Sequence, residues 1–217
     1  MSLNALAVFA RDRDDVATAH TLFEESLLLW RELGDQRAVA RALSNLANVV
    51  KLQGAYSFAH ALYGECISIF RGLGDRTGIA WSLNYQGDVA RDQGDSANAR
   101  ALYEQGLVIF RELGDRWGIA GTVADLGSLA REQRDYPAAH SLYRESIKIF
   151  QELEHKRGIA RLLECFACSA AAQLDRKRSL RLAGAAAALR KTIGAPLTPI
   201  EQCGSLDCLV RRMGNAG

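Results

Sequence analysis

The sequence is poor in proline, cysteine and long apolar runs, and each shortage narrows the class of protein. With only three prolines in 217 residues, long helices can run without interruption. No apolar run approaches the roughly 18 residues of a membrane-spanning helix, and no basic segment followed by an apolar run marks a secretory signal. The five cysteines are odd in number and unevenly placed. They favour free thiols in a cytosolic protein over a disulfide framework.

The sequence also lacks a strong overall charge, because 27 Lys and Arg oppose 25 Asp and Glu. The charge is unevenly distributed. From His155 to Gly217 there are 11 basic and 4 acidic residues, a net +7, whereas the preceding residues have 16 and 21, a net −5. The basic end is a candidate for contact with nucleic acid or an acidic partner. A solubilising array end, or a junction to another domain, explains it as well.

What the sequence does contain is an internal repeat. The stretch Leu73–Ala80 (LGDRTGIA) returns at 33–40 and 113–120, and faintly at 153–160, with a step of 40 residues each time. A fixed period of this size is typical of repeat architectures. The fold is therefore expected to consist of one structural unit and its copies.

Each unit is predicted to be a pair of helices. Gly74 stands where a helix end favours a left-handed residue, and Asp75 can cap the next helix. Apolar and small residues then recur with a period near 3.6 until Gly94 and Asp95 repeat the signal. The spacing gives helices of about 17 residues, or roughly 25 Å.

Columns of equivalent residues predict how the units stack. One column is always small: Ser26, Cys66, Gly106, Ser146 and Ala186. Two others are aromatic: Phe23, Tyr63, Tyr103 and Tyr143, and Trp30, Phe70, Phe110 and Phe150. Small residues let two backbones approach, and neighbouring rings fill the space alongside. A single pair cannot cover these apolar faces, but stacked neighbours can.

The pattern resembles the tetratricopeptide repeat. The resemblance rests on the Gly-Asp turn, the Ala and Tyr/Phe columns, and a small residue in the middle of each first helix: Ala47, Gly87, Gly127 and Ala167. The usual unit has about 34 residues. The longer form here looks like the repeats of bacterial LuxR-type and SARP-type transcription factors and STAND-class ATPases. Two departures are Gln86, which replaces an apolar residue, and a fifth pair without the aromatic column (Ala183, Arg190).

The resemblance implies an all-α, right-handed α-solenoid of about five antiparallel pairs over residues 1–195. The pairs are predicted at 3–33, 36–73, 75–113, 115–153 and 156–193, and a C-terminal capping helix at about 199–213 within the segment 196–217. Residues 3–11 match only the second half of a first helix. We therefore expect the chain to be part of a longer protein, with a short natural capping helix as the alternative.

The candidate binding surface is a second stripe, which runs beside the packing stripe on each first helix. By resemblance, this second stripe faces the concave side, where peptides bind. Its predicted binding residues are Asn45, Asn48, Lys51, Trp81, Asn84, Tyr85, Asp88, Arg91, Asp125, Ser128 and Arg131. Asn side chains can bond a peptide backbone, and Trp81 and Tyr85 offer contact area typical of hot spots. The alternative is an ordinary solvated polar face.

No residue pattern supports catalysis or a cofactor. The glycines lie between helices and lack the Gly-Lys-Ser/Thr of a phosphate loop. His20, His60 and His140 share one column in separate units, which predicts a solvated face. Cys165 and Cys168 lie one turn apart on a helix, unlike a zinc knuckle. We expect them to pack and to line the groove, with a zinc site that also uses Cys203 and Cys208 as the alternative.

The sequence therefore predicts a non-catalytic interaction module without metal or cofactor, which binds a protein or peptide, or the parent protein's other domains. By resemblance, it is the sensor or scaffold region of a cytoplasmic bacterial regulator. The alternative is a nucleic-acid accessory module that uses the basic end. The incomplete first unit also predicts self-association.

Overall fold

The computed structural model describes residues 3–195, which form ten α-helices. They are α1 (Leu3–Asp12), α2 (Val16–Glu32), α3 (Gln36–Leu52), α4 (Tyr56–Gly72), α5 (Arg76–Asp92), α6 (Ser96–Leu113), α7 (Arg116–Glu132), α8 (Tyr136–Glu152), α9 (Lys156–Ala172) and α10 (Arg176–Thr192). Apart from α1 and α6, each has 17 residues. The helix lengths and boundaries agree with the sequence pattern to within about two residues.

The chain divides into two compact units, with the boundary between Gly114 and Asp115. In the first unit, α1 to α6 pack one against the next along the chain. In the second unit, α7 to α10 do the same, and α7 also contacts α9. Each unit is a stack of helix hairpins without strands among residues 3–195, which confirms the all-α solenoid class. The predicted capping helix lies outside the described residues, and the predicted domain limits stay predictions.

The Leu-Gly-Asp link closes one helix and starts the next. Gly74 has a φ of 67°, and its N–H donates to the carbonyl of Arg71 at 3.2 Å. The N–H of Asp75 reaches the carbonyl of Phe70 at 2.9 Å, which completes the hydrogen-bond pattern of a Schellman motif. The carboxylate of Asp75 then accepts from the N–H of Gly78 at 2.9 Å. Two residues thus satisfy backbone groups of two helices.

The tyrosine column fills the interior of the pairs. Tyr103 and Tyr143 are fully buried, and each ring lies against the glycine in the middle of the partner helix. A Cβ atom at Gly87 or Gly127 would lie 2.6 Å from the ring of its tyrosine. Glycine is therefore the residue that lets the ring and the helix backbone approach so closely.

The small-residue column brings second helices onto the backbone of first helices. The Cys66 thiol donates to the carbonyl of Ala40 at 3.2 Å, and the Ser146 hydroxyl donates to the carbonyl of Ala120 at 2.7 Å. Burial raises the pKa of the Cys66 thiol to about 12, so the thiol stays protonated and inert. Cys66 is therefore a packing residue, as its column predicts.

The two departures from the repeat pattern have polar explanations. Gln86 is buried, and its amide donates to the carbonyl of His60 on α4 at 3.1 Å. Arg190 takes the place of the aromatic residue in the last pair and forms two hydrogen bonds to Glu164, at 2.6 and 2.9 Å. In both places a polar contact replaces apolar packing, and the buried groups keep a partner.

Candidate functional site

Within each unit, the second stripes of successive first helices adjoin. The amide of Asn45 on α3 donates to Asn4 on α1 at 2.9 Å. Farther along, Lys51 on α3 lies 3.2 Å from Asp92 on α5. In the second unit, Arg161 on α9 pairs with Asp125 on α7. The second stripes of one unit therefore form one continuous face, the second-stripe face.

An aromatic cluster lies at this face of the first unit: Trp81 and Tyr85 on α5 pack against the buried rings of Tyr63 on α4 and Phe110 on α6. The ring centroids of Tyr63 and Tyr85 are 5.7 Å apart, those of Tyr85 and Trp81 5.9 Å, and those of Trp81 and Phe110 4.8 Å. Tilted pairs at these distances are favourable. Trp81 and Tyr85 are half-buried, so the rest of the first unit holds both rings while part of each stays accessible.

Buried tyrosines hold two of the predicted binding residues in place. The Tyr63 hydroxyl donates to the side-chain oxygen of Asn48 at 2.9 Å, and the Tyr103 hydroxyl donates to Asp88 at 2.7 Å. Burial, together with the charge of Asp88, raises the pKa of Tyr63. The phenol therefore stays a hydrogen-bond donor, and these polar side chains are fixed in orientation.

The predicted basic row is locally neutralised. Lys51 pairs with Asp92 at 3.2 Å, and Arg91 lies 3.4 Å from both Asp88 and Asp92. In the second unit, Arg131 lies 3.3 Å from Glu132. The face therefore combines alternating charges with rings rather than presenting a uniform positive field.

Three of the predicted binding residues are buried in the structure. Asn84 is 2% exposed and Asp125 is 5% exposed, while Ser128 is buried and donates to the carbonyl of Ala124 at 3.1 Å. Their burial leaves little side-chain surface for a partner. The other predicted residues are half-buried, Trp81 and Tyr85 among them.

Cys165 and Cys168 on α9 occupy the same columns as Asp125 and Ser128 on α7. Both cysteines are half-buried and lie outside any disulfide within residues 3–195, and burial raises the pKa of Cys165 although the neighbouring Arg161 opposes the shift. Within residues 3–195, no three His, Cys, Asp or Glu side chains cluster closely enough to hold a metal ion. The thiols belong to the second-stripe face of the second unit, and Cys203 and Cys208 lie outside the described residues.

The histidine column lies at the surface of its helices. His60 is exposed, whereas His140 is half-buried and bonds the Ser169 hydroxyl at 2.8 Å. Burial, helped by Arg178 and Arg144, lowers the pKa of His140. The neutral form is therefore favoured near pH 7, and the column is part of the helix surface.

Sequence reasoning missed a cavity of about 460 Å³ between α1, α2 and α3. Its lining residues are Leu3, Asn4, Ser26, Leu29, Trp30, Leu33, Ala38, Arg41, Ala42 and Asn45. A periodic pattern cannot reveal it, because the walls come from three helices. The available signal was the change of positions 41 and 45 from Arg and Asn to Trp81 and Tyr85 in the next repeat.

The family follows from the match between the sequence and a family model. The tetratricopeptide repeat model matches residues 1–72 and 78–152, well over half of the chain. The chain belongs to the tetratricopeptide repeat family. Among curated proteins, none matches this sequence. Tetratricopeptide repeats are generally non-catalytic scaffolds, and this chain is a protein–protein interaction module.

Solved structures share the fold. BtubC (BKLC) from P. vanneervenii has a TM-score of 0.67 and 19% identity, over 88% of this chain and 80% of that one. A Rap protein complexed with Competence and Sporulation Factor has a TM-score of 0.72 and 14% identity, over 98% of this chain and 63% of that one. A putative kinesin light chain of Podosopora anserina has a TM-score of 0.63 and 15% identity, over 89% of this chain and 95% of that one. At these identities the likeness shows the fold alone.

The helices of the tetratricopeptide stack are amphipathic rather than apolar along their whole length. None of those between residues 3 and 195 is both long enough and apolar enough to cross a bilayer.

Proposed function

We propose that this tetratricopeptide module binds an extended or helical segment of a protein partner on the second-stripe face of its first unit. The observation that carries the proposal is the aromatic cluster, in which Trp81 and Tyr85 keep accessible ring surface while Tyr63 and Phe110 support them. Rigid, partly accessible aromatics are the side chains that most often dominate binding energy.

The polar groups around the cluster suit recognition of a peptide backbone. Asn45 and Asn48 are half-buried amides held by Asn4 and Tyr63, so little side-chain entropy is lost when a partner binds. Because the neighbouring charges are already paired, the affinity depends mainly on rings and amides. We therefore expect binding to tolerate salt.

The cellular setting is part of the same proposal. By the resemblance of its 40-residue repeats, the chain acts as the sensor or scaffold region of a cytoplasmic bacterial regulator. Binding of a partner, or of the regulator's other domains, shifts the regulator between states. The Rap structure, described as complexed with Competence and Sporulation Factor, supports the idea that this fold can serve such recognition.

Combined replacement of the two accessible rings tests the proposal. Peptides selected by display against the wild-type chain are titrated by calorimetry with the variant Trp81→Ala, Tyr85→Ala. We expect affinity to fall about tenfold or more, with helical circular dichroism retained. Trp117→Ala is the matched control, because this exposed tryptophan lies in the second unit. Unchanged affinity in the double variant would exclude the aromatic cluster as the anchor.

A second candidate is nucleic-acid binding at the basic end. Lys177, Arg178 and Arg181 on α10 line one shallow depression, which concentrates positive charge. Binding that uses this surface requires an oligonucleotide affinity that falls steeply with salt. It also requires a shallower salt dependence when Lys177 and Arg178 are replaced by Ala. A salt-tolerant partner that depends on Trp81 favours the first proposal.

A further inference from the structure

The cavity between α1, α2 and α3 has mostly apolar walls and an accessible mouth. Leu29 is 48% exposed and Leu33 is 72% exposed, while Trp30 forms a half-buried wall. Ala38 and Ala42 in the cavity lining are buried and small. A volume of about 460 Å³ leaves room for a large side chain.

The cavity lining includes a cation that no residue in the described range 3–195 compensates. Arg41 lines the cavity and is exposed, and it forms no ion pair with any residue in the range 3–195. In contrast, Lys51, Arg91 and Arg131 on the same faces all have carboxylate neighbours. A mostly apolar cavity with one guanidinium in its lining favours a ligand that is apolar and carries a nearby carboxylate.

The repeat itself indicates which apolar group is missing. Positions 41 and 45, which border the cavity, recur 40 residues later as Trp81 and Tyr85. The Tyr85 ring lies 5.7 Å from that of Tyr63 on α4, the helix that corresponds to α2 in the cavity wall. On α3, the corresponding residues Arg41 and Asn45 have no aromatic ring. The chain therefore has an aromatic-sized vacancy at a position where its own next repeat has aromatic side chains.

We infer that this cavity receives an aromatic side chain of the bound peptide, and that Arg41 pairs with an acidic residue next to it. The inference rests on the proposed function, because the cavity borders the same second-stripe face through Arg41 and Asn45. It adds the chemistry of the partner: a segment with an aromatic residue beside an acidic one. Trp30 in the cavity wall reports occupancy through its fluorescence.

The experiment uses the full chain with Trp81→Phe and Trp117→Phe, which leaves Trp30 as the only tryptophan, and calorimetry on the unsubstituted chain gives the affinities of the same peptides with Trp81 in place. The probes are three blocked hexapeptides that contain Phe-Asp, Phe-Asn or Ala-Asp in the same Ser/Gly background. We expect the Phe-Asp peptide to change Trp30 emission saturably. The Phe-Asn peptide should bind about three- to fivefold more weakly, since one exposed charge pair is lost. The Ala-Asp peptide should bind more than about tenfold more weakly, because it cannot fill the cavity.

Substitutions in the protein test the charge pair and the cavity separately. Arg41→Ala should reduce Phe-Asp binding to the Phe-Asn level, whereas Arg71→Ala, which removes an equal charge outside the cavity lining, should have no effect. Arg41→Trp combined with Asn45→Tyr copies the next repeat and should abolish binding by filling the space. Circular dichroism and melting temperature confirm that each variant is folded.

The outcomes separate this inference from the proposed function. If display-selected peptides depend on Trp81 and Tyr85 but bind equally well to the filled-cavity variant, the inference is wrong and the proposed function stands. If the Phe-Asp peptide fills the cavity but Trp81 and Tyr85 do not matter, the anchor proposal fails instead.

Equal affinity for 3-phenylpropionate would make the cavity a small-molecule site. A Trp30 signal that depends on protein concentration alone would make it a contact between copies. The small-molecule result and the self-contact result each overturn the inference that the cavity receives a peptide side chain.

Discussion

Gly87 and Tyr103 show how a single atom decides packing in this fold. A Cβ at position 87 would lie 2.6 Å from the Tyr103 ring, and the buried ring donates its hydroxyl to Asp88. We predict that Gly87→Leu destabilises the protein by at least about 3 kcal/mol, because the extra side chain forces ring and helix apart. Chemical denaturation provides the measurement.

Gly64→Ala is the matched control for Gly87. A Cβ at position 64 would meet only the Gln86 amide, at 3.9 Å, which is an ordinary contact. In the interior of α4, the change should stabilise by about 0.5–1 kcal/mol. A Gly87→Leu variant as stable as the wild type would contradict the assigned packing columns.

The pair formed by Arg190 and Glu164 is the residue-level feature that the repeat pattern did not predict. Arg190 is 6% exposed, and its removal would leave Glu164 as a largely buried, uncompensated charge. We predict that Arg190→Ala costs about 3–5 kcal/mol, measured by denaturation and by faster hydrogen exchange in α10.

The double variant Arg190→Phe, Glu164→Ala distinguishes two causes of instability: the unpaired charge of Glu164 and the lost volume of the Arg190 side chain. It copies Phe150 and Ala124 of the preceding pair. Replacement of a buried ion pair by well-packed apolar residues is often neutral, so we expect stability near that of the wild type. If the double variant is as unstable as Arg190→Ala, the ion pair is needed for more than charge compensation.

At the scale of the helix, N-terminal capping explains why aspartate recurs directly before the first residue of a helix. Asp35, Asp75, Asp95 and Asp115 each accept a hydrogen bond from a backbone N–H three residues on. Ala55 stands at the same position before α4, with similar dihedral angles (φ −82°, ψ 61°), but lacks a capping side chain. One helix of the first unit therefore starts without this stabilisation.

Ala55→Asp should supply the missing cap. Because the backbone already has the capping geometry, we predict a gain of about 0.5–2 kcal/mol, visible as a higher denaturation midpoint. Asp95→Ala is the reciprocal control and should lose a comparable amount. No gain at position 55 would mean that the start of α4 is stabilised by other contacts.

At the scale of the whole molecule, α1 leaves apolar side chains uncovered, and Phe9 is 54% exposed. We predict concentration-dependent self-association through α1, detectable by sedimentation velocity and reduced by Phe9→Glu. Phe58→Glu is the matched control, because Phe58 on α4 is 50% exposed and should not affect association. A monomer at all concentrations, or equal effects of the two changes, would refute a role of α1.

The sequence by itself determined the period, the helix boundaries, the caps and the packing columns. These features depend on local spacing and on the chemistry of a few turn residues such as Gly74 and Asp75, so a linear pattern contains them. It also placed Trp81 and Tyr85 on the second stripe, because a helical period assigns residues to faces.

Only the tertiary structure decided which of these residues stay accessible and which charges stay free. Asn84 and Asp125 are buried because neighbouring helices cover them, and Arg190 finds Glu164 26 residues away. The cavity beside Arg41 exists because three helices meet around small residues. Burial, ion pairing and cavity volume depend on the side chains of the adjacent helices. Packing between repeats decides which side chains meet, and the order of residues within one repeat does not specify it.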